Sequence, residues 1–251
     1  MMKAKIEING KTISVDLSKP IDLSIPIRAG ENNVNAFYIG PVTMEPFRAG
    51  SFVGDVNQGG SCNVNTITIN PHGNGTHTET VGHIAKEKFP INDCLRQFFF
   101  EARLMTIQPQ ANGNDHIVSA NHFKSLADQN WPEAVIVRTL PNDINKMNRH
   151  YSGTNPAYFS EDAALFLREH GVKHLLLDVP SIDREEDGGK LLAHHAFWNY
   201  PTSPRKDCTI SELLYIPDEV KDGSYLLNLQ IASFENDASP SKPVAYLVIS
   251  E

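Results

Sequence analysis

The stretch VNTITINPHGNGTHTETVGH, residues 64–83, joins a strand pattern to a dense group of metal-binding side chains. Residues 64–69 alternate between apolar and polar, which predicts a half-buried β-strand. The strand should end at Asn70-Pro71, because proline lacks the N–H group that a sheet ladder requires. The loop that follows therefore lies at a strand end, where loops on a rigid scaffold commonly carry function.

This loop contains three histidines and one glutamate within twelve residues, at His72, His77, Glu79 and His83. Imidazole nitrogens and carboxylate oxygens are ligands that suit zinc, manganese, iron or nickel. The two glycines between the first two histidines allow sharp backbone angles. His77 and Glu79 would lie on the same side of an extended chain. A single histidine would be interpreted as a structural residue, whereas the cluster predicts a metal site.

Outward from this loop, the sequence alternates strand and helix signals, which predicts an α/β fold. Asn9-Gly10 between two alternating runs predicts a hairpin over residues 5–16. Ser160 is a suitable N-cap for a helix from Glu161 to about His170, with Gly171 just past its end. A second helix is predicted within residues 190–198, and further strands at 134–137, 172–179, 225–231 and 244–249.

Length and charge narrow the class of protein. The 251 residues suit one sizeable domain or two small ones, and no convincing linker separates two parts. The net charge is −8, and the 22 Lys and Arg residues are scattered, which argues against nucleic acid and anionic membranes as partners. The acidic run at residues 183–187 is most simply a solvated loop.

The compartment is inferred from what the sequence lacks. The three cysteines form no Cys-x-x-Cys pair and no disulfide framework. No apolar stretch approaches the roughly 20 residues that a membrane helix needs, and the first residues lack the apolar region of a signal peptide. We therefore expect a cytoplasmic protein.

The run from Asn74 to Glu79, followed by His83, resembles the Gly-Thr-His motif of the cyclase family, which includes kynurenine formamidases and isatin hydrolases. The family pattern is His-x-Gly-Thr-His-x-Asp-x-x-x-His. Four other segments resemble family landmarks in the same order, at residues 22–26, 177–183, 193–198 and 210–214.

The resemblance implies a swivelling β/β/α fold, strand-rich with a few helices, formed by residues 1–251 as a single domain. It also implies one or two divalent ions, zinc or manganese. By this resemblance His77 is a metal ligand, and Glu79 takes the position of an aspartate that bridges both ions in two-metal members. His194 and Glu212 match the pair that holds a second ion, and His83 matches a proton-transfer residue.

This sequence departs from the family pattern at the first ligand. The family's first histidine lies four residues before the second, where this chain has Gly73. His72 lies one residue earlier, and it is the candidate for that ligand if the loop carries an insertion relative to the family pattern. Glu79 stands in place of aspartate and reaches one methylene further. The separation of His194 from Glu212 is also long.

Several residues keep alternative interpretations. His194 and His195 would diverge by about 100° on a helix, so one of them should be structural, and the resemblance selects His194. Asp178 and Ser181 either line the pocket at a strand end or cap a turn.

The implied activity is hydrolysis of an amide, formamide or cyclic amide or ester by metal-activated water, as in the arylformamidases of tryptophan catabolism. A small-molecule substrate and a homodimer or homotetramer are expected. Two other classes stay open: a non-catalytic or degenerate metal-binding member of the same fold, and a cupin-like or other metal-dependent lyase or oxygenase. Catalysis requires an open coordination position, whereas a structural metal site is closed. No residue pattern selects formyl-kynurenine as the substrate.

Overall fold

The computed structural model describes residues 1–126 and 130–250, and strands dominate it. The strands are β1 (Lys3–Ile8), β2 (Lys11–Asp16), β3 (Ile21–Asp22), β4 (Thr43–Pro46), β5 (Arg48–Ala49), β6 (Phe52–Val53), β7 (Asn65–Thr68), β8 (His77–Glu79), β9 (Phe99–Ile107), β10 (Gln110–Asn112), β11 (Asp115–Val118), β12 (Ala134–Thr139), β13 (Tyr158–Phe159), β14 (His174–Leu177), β15 (Thr209–Glu212), β16 (Gly223–Ile231) and β17 (Ala238–Ser250). The helices in the described residues are α1 (Ile91–Cys94), α2 (Glu161–Glu169) and α3 (Leu192–Trp198), with 3-10 turns at Val56–Gln58, Val81–His83, Ala120–His122, Lys124–Leu126 and Ile144–Met147.

Among the described residues, seven strands form a mixed sheet that closes on itself in the order β17-β16-β9-β12-β14-β15-β8. The run from β9 to β15 is parallel, and the remaining pairings are antiparallel. Closure of the sheet depends on β17, which is 13 residues long. The first residues of β17 pair with β8, and the residues that follow pair with β16. The β1–β2 hairpin joins the same sheet through β17.

The central parallel strands are buried on both faces. Every residue of β12 and β14 is buried, as expected for parallel strands covered on both sides. One face, including Val135 and Leu175, packs against Leu167 of α2 and Phe197 of α3. The opposite face packs against side chains of β9 and β16. These two layers hold the carboxyl ends of the parallel strands in fixed positions, and the predicted metal ligand Glu212 lies at one of those ends, in β15.

Most of the predicted elements are confirmed. The hairpin forms with Asn9 and Gly10 at φ values of 50° and 76°, as a two-residue turn of the type I′ class requires. α2 spans Glu161–Glu169, and Gly171 follows it at φ 81°. α3 begins two residues later than the predicted start at residue 190.

The burial predicted for residues 64–69 is wrong. The strand forms as β7, but all four of its residues are exposed, and Ile67 is 56% exposed. β7 pairs only with β4 among the described strands, in a separate two-stranded ribbon. Alternation of apolar and polar residues therefore identified the strand, while no layer within residues 1–126 and 130–250 covers its apolar side.

No helix in the described part of the chain has the length and apolar character needed to cross a membrane.

Gly73 occupies a position in the metal-binding loop that has no room for a side chain. A Cβ atom there would lie 2.8 Å from the carbonyl oxygen of Ala36 and would also collide with Cδ1 of Ile39. The contact with Ala36 is fixed, because the Ala36 N–H donates to the Gly73 carbonyl at 3.0 Å.

We expect Gly73→Ala to lower the free energy of unfolding by about 1–3 kcal/mol, the usual cost of overpacking a tight site. Urea denaturation measures this difference. Gly40→Ala is the matched control, because a Cβ at Gly40 meets no atom within 4 Å. Equal stability of the two variants would contradict the steric account.

Candidate metal centre

Strand β8 positions the centre through its two neighbours. It pairs with β15, which sets His77 opposite Glu212 and Glu79 opposite Ile210. On its other edge it pairs with β17, which sets Glu79 opposite Ala238. His77 and Glu79 lie on the same side of the strand because side chains alternate, and Glu212 shares that side because directly paired residues face the same way. Sheet register alone therefore brings three donor side chains together.

His77 has a lone pair available for a cation. Its side chain is fully buried, and its Nδ1–H donates to the Gly75 carbonyl at 3.1 Å. Its Nε2 has no hydrogen-bond partner among the described residues, and Glu212 Oε2 lies 3.5 Å away. A buried polar atom without a partner is costly, so this nitrogen fits the role of a metal ligand.

Glu79 offers a second available atom. Its Oε2 lies 3.0 Å from His72 Nδ1, yet among the described residues it makes no hydrogen bond. Donor atoms of His72, His77 and Glu79 lie within 4.8 Å of one another, and this group is able to hold a metal ion. Histidine nitrogens together with a carboxylate oxygen form a common ligand set for divalent transition metals.

His194 and Glu212, the pair predicted to hold a second ion, also lie beside Glu79. His194 of α3 donates from Nε2 to Glu79 Oε1 at 3.2 Å, and its Nε2 lies 4.0 Å from Glu212 Oε1. His195 points elsewhere, and its Nδ1 contacts the carbonyl of Tyr200 at 3.0 Å. The structure thus brings together all five residues predicted as ligands, and it places His194 rather than His195 at the centre.

Asp183 and the main chain hold this second pair in place. The Asp183 carboxylate accepts hydrogen bonds from the backbone N–H groups of Ala193 and His194, and from His194 Nδ1 at 2.6 Å. Glu212 Oε1 accepts a hydrogen bond from the Ile182 N–H at 2.8 Å. Asp183 therefore caps the start of α3 and also orients the imidazole that faces Glu79.

His83 lies at the edge of the cluster, where the predicted proton-transfer residue would be expected. Its ring centroid is 4.5 Å from that of His72 and 5.3 Å from that of His194. Its Nδ1 is 3.6 Å from Glu79 Oε2 and 3.7 Å from Asp237 Oδ2. The side chain is 31% exposed, so it contacts both the buried donors and solvent.

The carboxylates of the centre change the pKa values of the imidazoles that they contact. Burial by itself lowers the pKa of His72, but the hydrogen bond to Asp237 and the adjacent Glu79 carboxylate outweigh it and raise this pKa to about 10. For His194, burial is likewise outweighed by Asp183 and Glu79, and its pKa is raised to about 10. Burial would raise the pKa of Glu79, yet the charges of His83 and His194 hold it well below its usual value. A cation would have to displace protons from these imidazoles.

A cavity of about 750 Å³ opens beside the centre. His72, His83, His194 and Glu212 line one side of it, and Phe37 and the loop of residues 184–189 line the rest. The prediction that residues 183–187 form only a solvated loop is wrong for its first member, because Asp183 is 7% exposed and bonded to His194. The rest of that run forms a wall of the cavity.

Asp178 and Ser181 separate into different roles. Asp178 is buried away from this cavity, where it pairs with Lys146 Nζ at 2.7 Å and accepts hydrogen bonds from Thr139. Ser181 lines the cavity, and its hydroxyl accepts a hydrogen bond from the Asp183 N–H at 3.1 Å. Asp178 therefore does not line the cavity beside the metal centre, whereas Ser181 both caps a turn and lines that cavity.

Two carboxylates at the centre were not among the predicted site residues. Asp183 belongs to the segment 177–183 that resembles a family landmark, and that resemblance was the available signal. Asp237 precedes β17 and carries no local motif. It reaches His72 because β17 pairs with β8, and the Asp237 Oδ2 atom lies 2.9 Å from His72 Nε2.

Comparison with known proteins identifies the family of this chain. Residues 15–184 match the family model described as "Putative cyclase", and the chain belongs to the cyclase family. A kynurenine formamidase of Bacillus anthracis is 26% identical over 229 residues, which cover 90% of this chain and 97% of that protein. A kynurenine formamidase of Bacillus thuringiensis (strain Al Hakam) is 26% identical over 189 residues, covering 74% of this chain and 81% of that protein.

Solved structures confirm the predicted fold class. A structure described as a predicted metal-dependent hydrolase from Bacillus stearothermophilus superposes with a TM-score of 0.63 at 18% identity, covering 91% of this chain and 98% of that one. An isatin hydrolase bound to the product analogue thioisatinate superposes with a TM-score of 0.66 at 15% identity, covering 92% of each chain. At these identities the likeness shows the shared strand-rich fold.

We expect Asp183→Ala to lower the free energy of unfolding by about 1–3 kcal/mol, because it leaves two N–H groups of α3 and one imidazole without their acceptor. Urea denaturation of the metal-free protein measures this loss. Glu186→Ala is the matched control, since it removes the same charge from an exposed position in the same loop. If both variants have the same unfolding midpoint in urea as the wild type, Asp183 does not stabilise α3.

Proposed function

We propose that this protein is a metal-dependent hydrolase that cleaves a carbon–nitrogen bond other than a peptide bond. Its substrate class is a formamide, amide or cyclic amide or ester, and its chemistry is that of an arylformamidase of the kynurenine formamidase type. One observation carries this proposal. Five donor side chains converge beside a cavity, and two buried donor atoms, His77 Nε2 and Glu79 Oε2, have no hydrogen-bond partner in the described structure.

In this proposal His72, His77 and Glu79 hold one divalent cation, and Glu79, His194 and Glu212 are positioned for a second. Zinc is the first choice and manganese the second, because imidazole and carboxylate ligands suit both. When bound, such a cation lowers the pKa of a coordinated water and polarises a carbonyl oxygen.

The protein's own residues supply the proton transfer. His83 accepts a proton from the attacking water and passes it to the leaving nitrogen as the carbonyl–nitrogen bond breaks. Its position supports this role, because its ring lines the cavity and its Nδ1 lies between the carboxylates of Glu79 and Asp237. Those two carboxylates orient the imidazole and stabilise it once it carries the proton.

The cavity supports a small-molecule substrate. Its volume of about 750 Å³ falls within the usual range for small-molecule sites of roughly 300–1,000 Å³. Phe37 lines the same cavity as the donors, and its backbone adopts a left-handed conformation with φ 58°. Such a conformation is unusual for a bulky residue and is found preferentially at functional sites. A ring-bearing formamide, as in tryptophan catabolism, matches this surface.

Domain organisation, oligomeric state and cellular location are also part of this proposal. Residues 1–251 are proposed to form one domain, because β2 near the start pairs with β17 near the end. A homodimer or homotetramer is proposed, and the exposed apolar side chains of Phe47, Val64 and Ile67 are candidates for its contacts. A cytoplasmic location is supported by three cysteines without a disulfide. Nucleic acid and membranes are not proposed as partners.

The direct test combines metal titration with a substrate screen. We expect the purified protein to bind zinc or manganese and to hydrolyse members of a panel of N-formyl anilines, simple amides and lactones. A chelator should abolish turnover, and the added ion should restore it. Metal binding without turnover on the whole panel would contradict catalysis and favour a degenerate binding protein, while failure to bind any divalent ion would contradict the proposal entirely.

We expect His83→Ala to lower kcat by about 10²- to 10⁴-fold, the range for loss of a general acid–base group. Bound metal, measured by elemental analysis, should stay at the wild-type level because His83 is not among the proposed ligands. His116→Ala is the control, since that histidine is exposed and does not line the cavity. Loss of metal in the His83 variant would mean that this residue is a ligand instead.

A further inference from the structure

The two ring nitrogens of His72 lie at similar distances from two different carboxylates. Nε2 is 2.9 Å from Asp237 Oδ2, and the alignment is that of a hydrogen bond. Nδ1 is 3.0 Å from Glu79 Oε2, but that oxygen makes no hydrogen bond to any described residue. The first pair therefore shares a proton, whereas the second pair is close but not aligned for a hydrogen bond, which leaves both of its atoms within reach of one cation.

Asp237 is held in place by its main chain rather than by its side chain. Its carbonyl accepts a hydrogen bond from the Thr80 N–H at 3.0 Å, and the next residue, Ala238, pairs with Glu79 in the sheet. Gly82 allows this close approach, because a Cβ there would lie 3.1 Å from the Asp237 Cβ and 2.9 Å from the Phe89 carbonyl. The carboxylate is thus presented to His72 from a fixed backbone.

His72 itself needs such support. Its backbone is set by a turn in which the Asn70 side chain accepts the His72 N–H at 3.0 Å. Its side chain is partly exposed at the cavity, with 22% of its surface accessible, whereas the side chain of His77 is fully buried. Burial and the hydrogen bond to the Gly75 carbonyl therefore fix the ring of His77, whereas the partly exposed ring of His72 depends on its contacts with other side chains.

We propose that Asp237 is a positioning residue for the metal centre: it holds the proton on His72 Nε2 and so directs Nδ1 to the cation beside Glu79. This inference rests on the proposed metal-dependent function. A carboxylate that accepts the second N–H of a ligand histidine fixes its tautomer and ring orientation, and removal of such a partner commonly weakens metal binding by about 10- to 100-fold.

The test is Asp237→Asn, with zinc as the probe. Zinc affinity, measured by competition with a chromogenic chelator, should fall by about 10- to 100-fold. Glu235→Gln is the matched control, because it neutralises an exposed carboxylate in the same segment, and it should bind zinc like the wild type. The circular dichroism spectrum should be the same for all three proteins, since the main-chain contacts of Asp237 remain.

A second readout separates positioning from a general structural role. In the zinc-bound wild type, ¹⁵N correlation spectra of the histidine rings should show His72 protonated at Nε2 alone. In the Asp237→Asn protein this signal should become weaker or mixed. Wild-type zinc affinity in the variant, an unchanged His72 tautomer, or direct zinc–Asp237 coordination in a zinc-bound crystal structure would each overturn the inference.

These outcomes differ from those that would overturn the proposed function. If the wild type binds zinc and turns over substrate while Asp237→Asn keeps full affinity, only the positioning role fails. If the wild type binds no divalent ion, the proposed function fails first.

Discussion

The pairing of the three-residue strand β8 on both of its edges is the constraint on which the rest of the site depends. β15 on one side and β17 on the other fix the main chain of His77, Thr78 and Glu79. The side chains of Thr78 in β8 and Ser211 in β15 form a buried hydrogen bond, with 2.7 Å between Oγ1 and Oγ. This bond further stabilises the register of the two strands. A shift of one residue would turn His77 and Glu79 to the opposite face. The closed barrel therefore specifies the chemistry as well as the architecture.

A buried group of this kind is stable only because nearly every polar atom has a partner. An isolated buried charge is very unfavourable, and buried ion pairs are stable only when further hydrogen bonds satisfy their remaining atoms. Here Asp183 accepts a hydrogen bond from His194, the Ile182 N–H donates one to Glu212, and Asp237 accepts one from His72. Within this group, two buried atoms, His77 Nε2 and Glu79 Oε2, have no hydrogen-bond partner among the described residues, and they lie in the same small region. A cation placed there would complete the network.

The sequence was sufficient for features that depend on local chemistry. The Asn9-Gly10 turn, the capped helix α2 and the density of histidines in residues 72–83 all result from short-range patterns. The sequence was insufficient where burial or partnership depends on distant strands. β7 has the alternation of a half-buried strand but pairs only with β4 among the described strands, and Asp237 reaches the centre only through the pairing of β17 with β8. Asp183 was misassigned because a charged run usually indicates solvent exposure, whereas the hydrogen bonds of α3 require its carboxylate to be buried.

The substitution of glutamate for aspartate at Glu79 fits together with the altered first ligand. Gly73 cannot carry a side chain, since a Cβ there would lie 2.8 Å from the Ala36 carbonyl oxygen, and in this loop the imidazole beside Glu79 Oε2 is that of His72. The extra methylene of Glu79 lets its carboxylate extend between two groups: Oε2 faces His72, and Oε1 faces His194. A shorter aspartate on the same backbone would leave its carboxylate further from both imidazoles. The shifted histidine and the longer acid therefore fit each other. The carboxylate of Glu79 reaches the imidazoles of both His72 and His194.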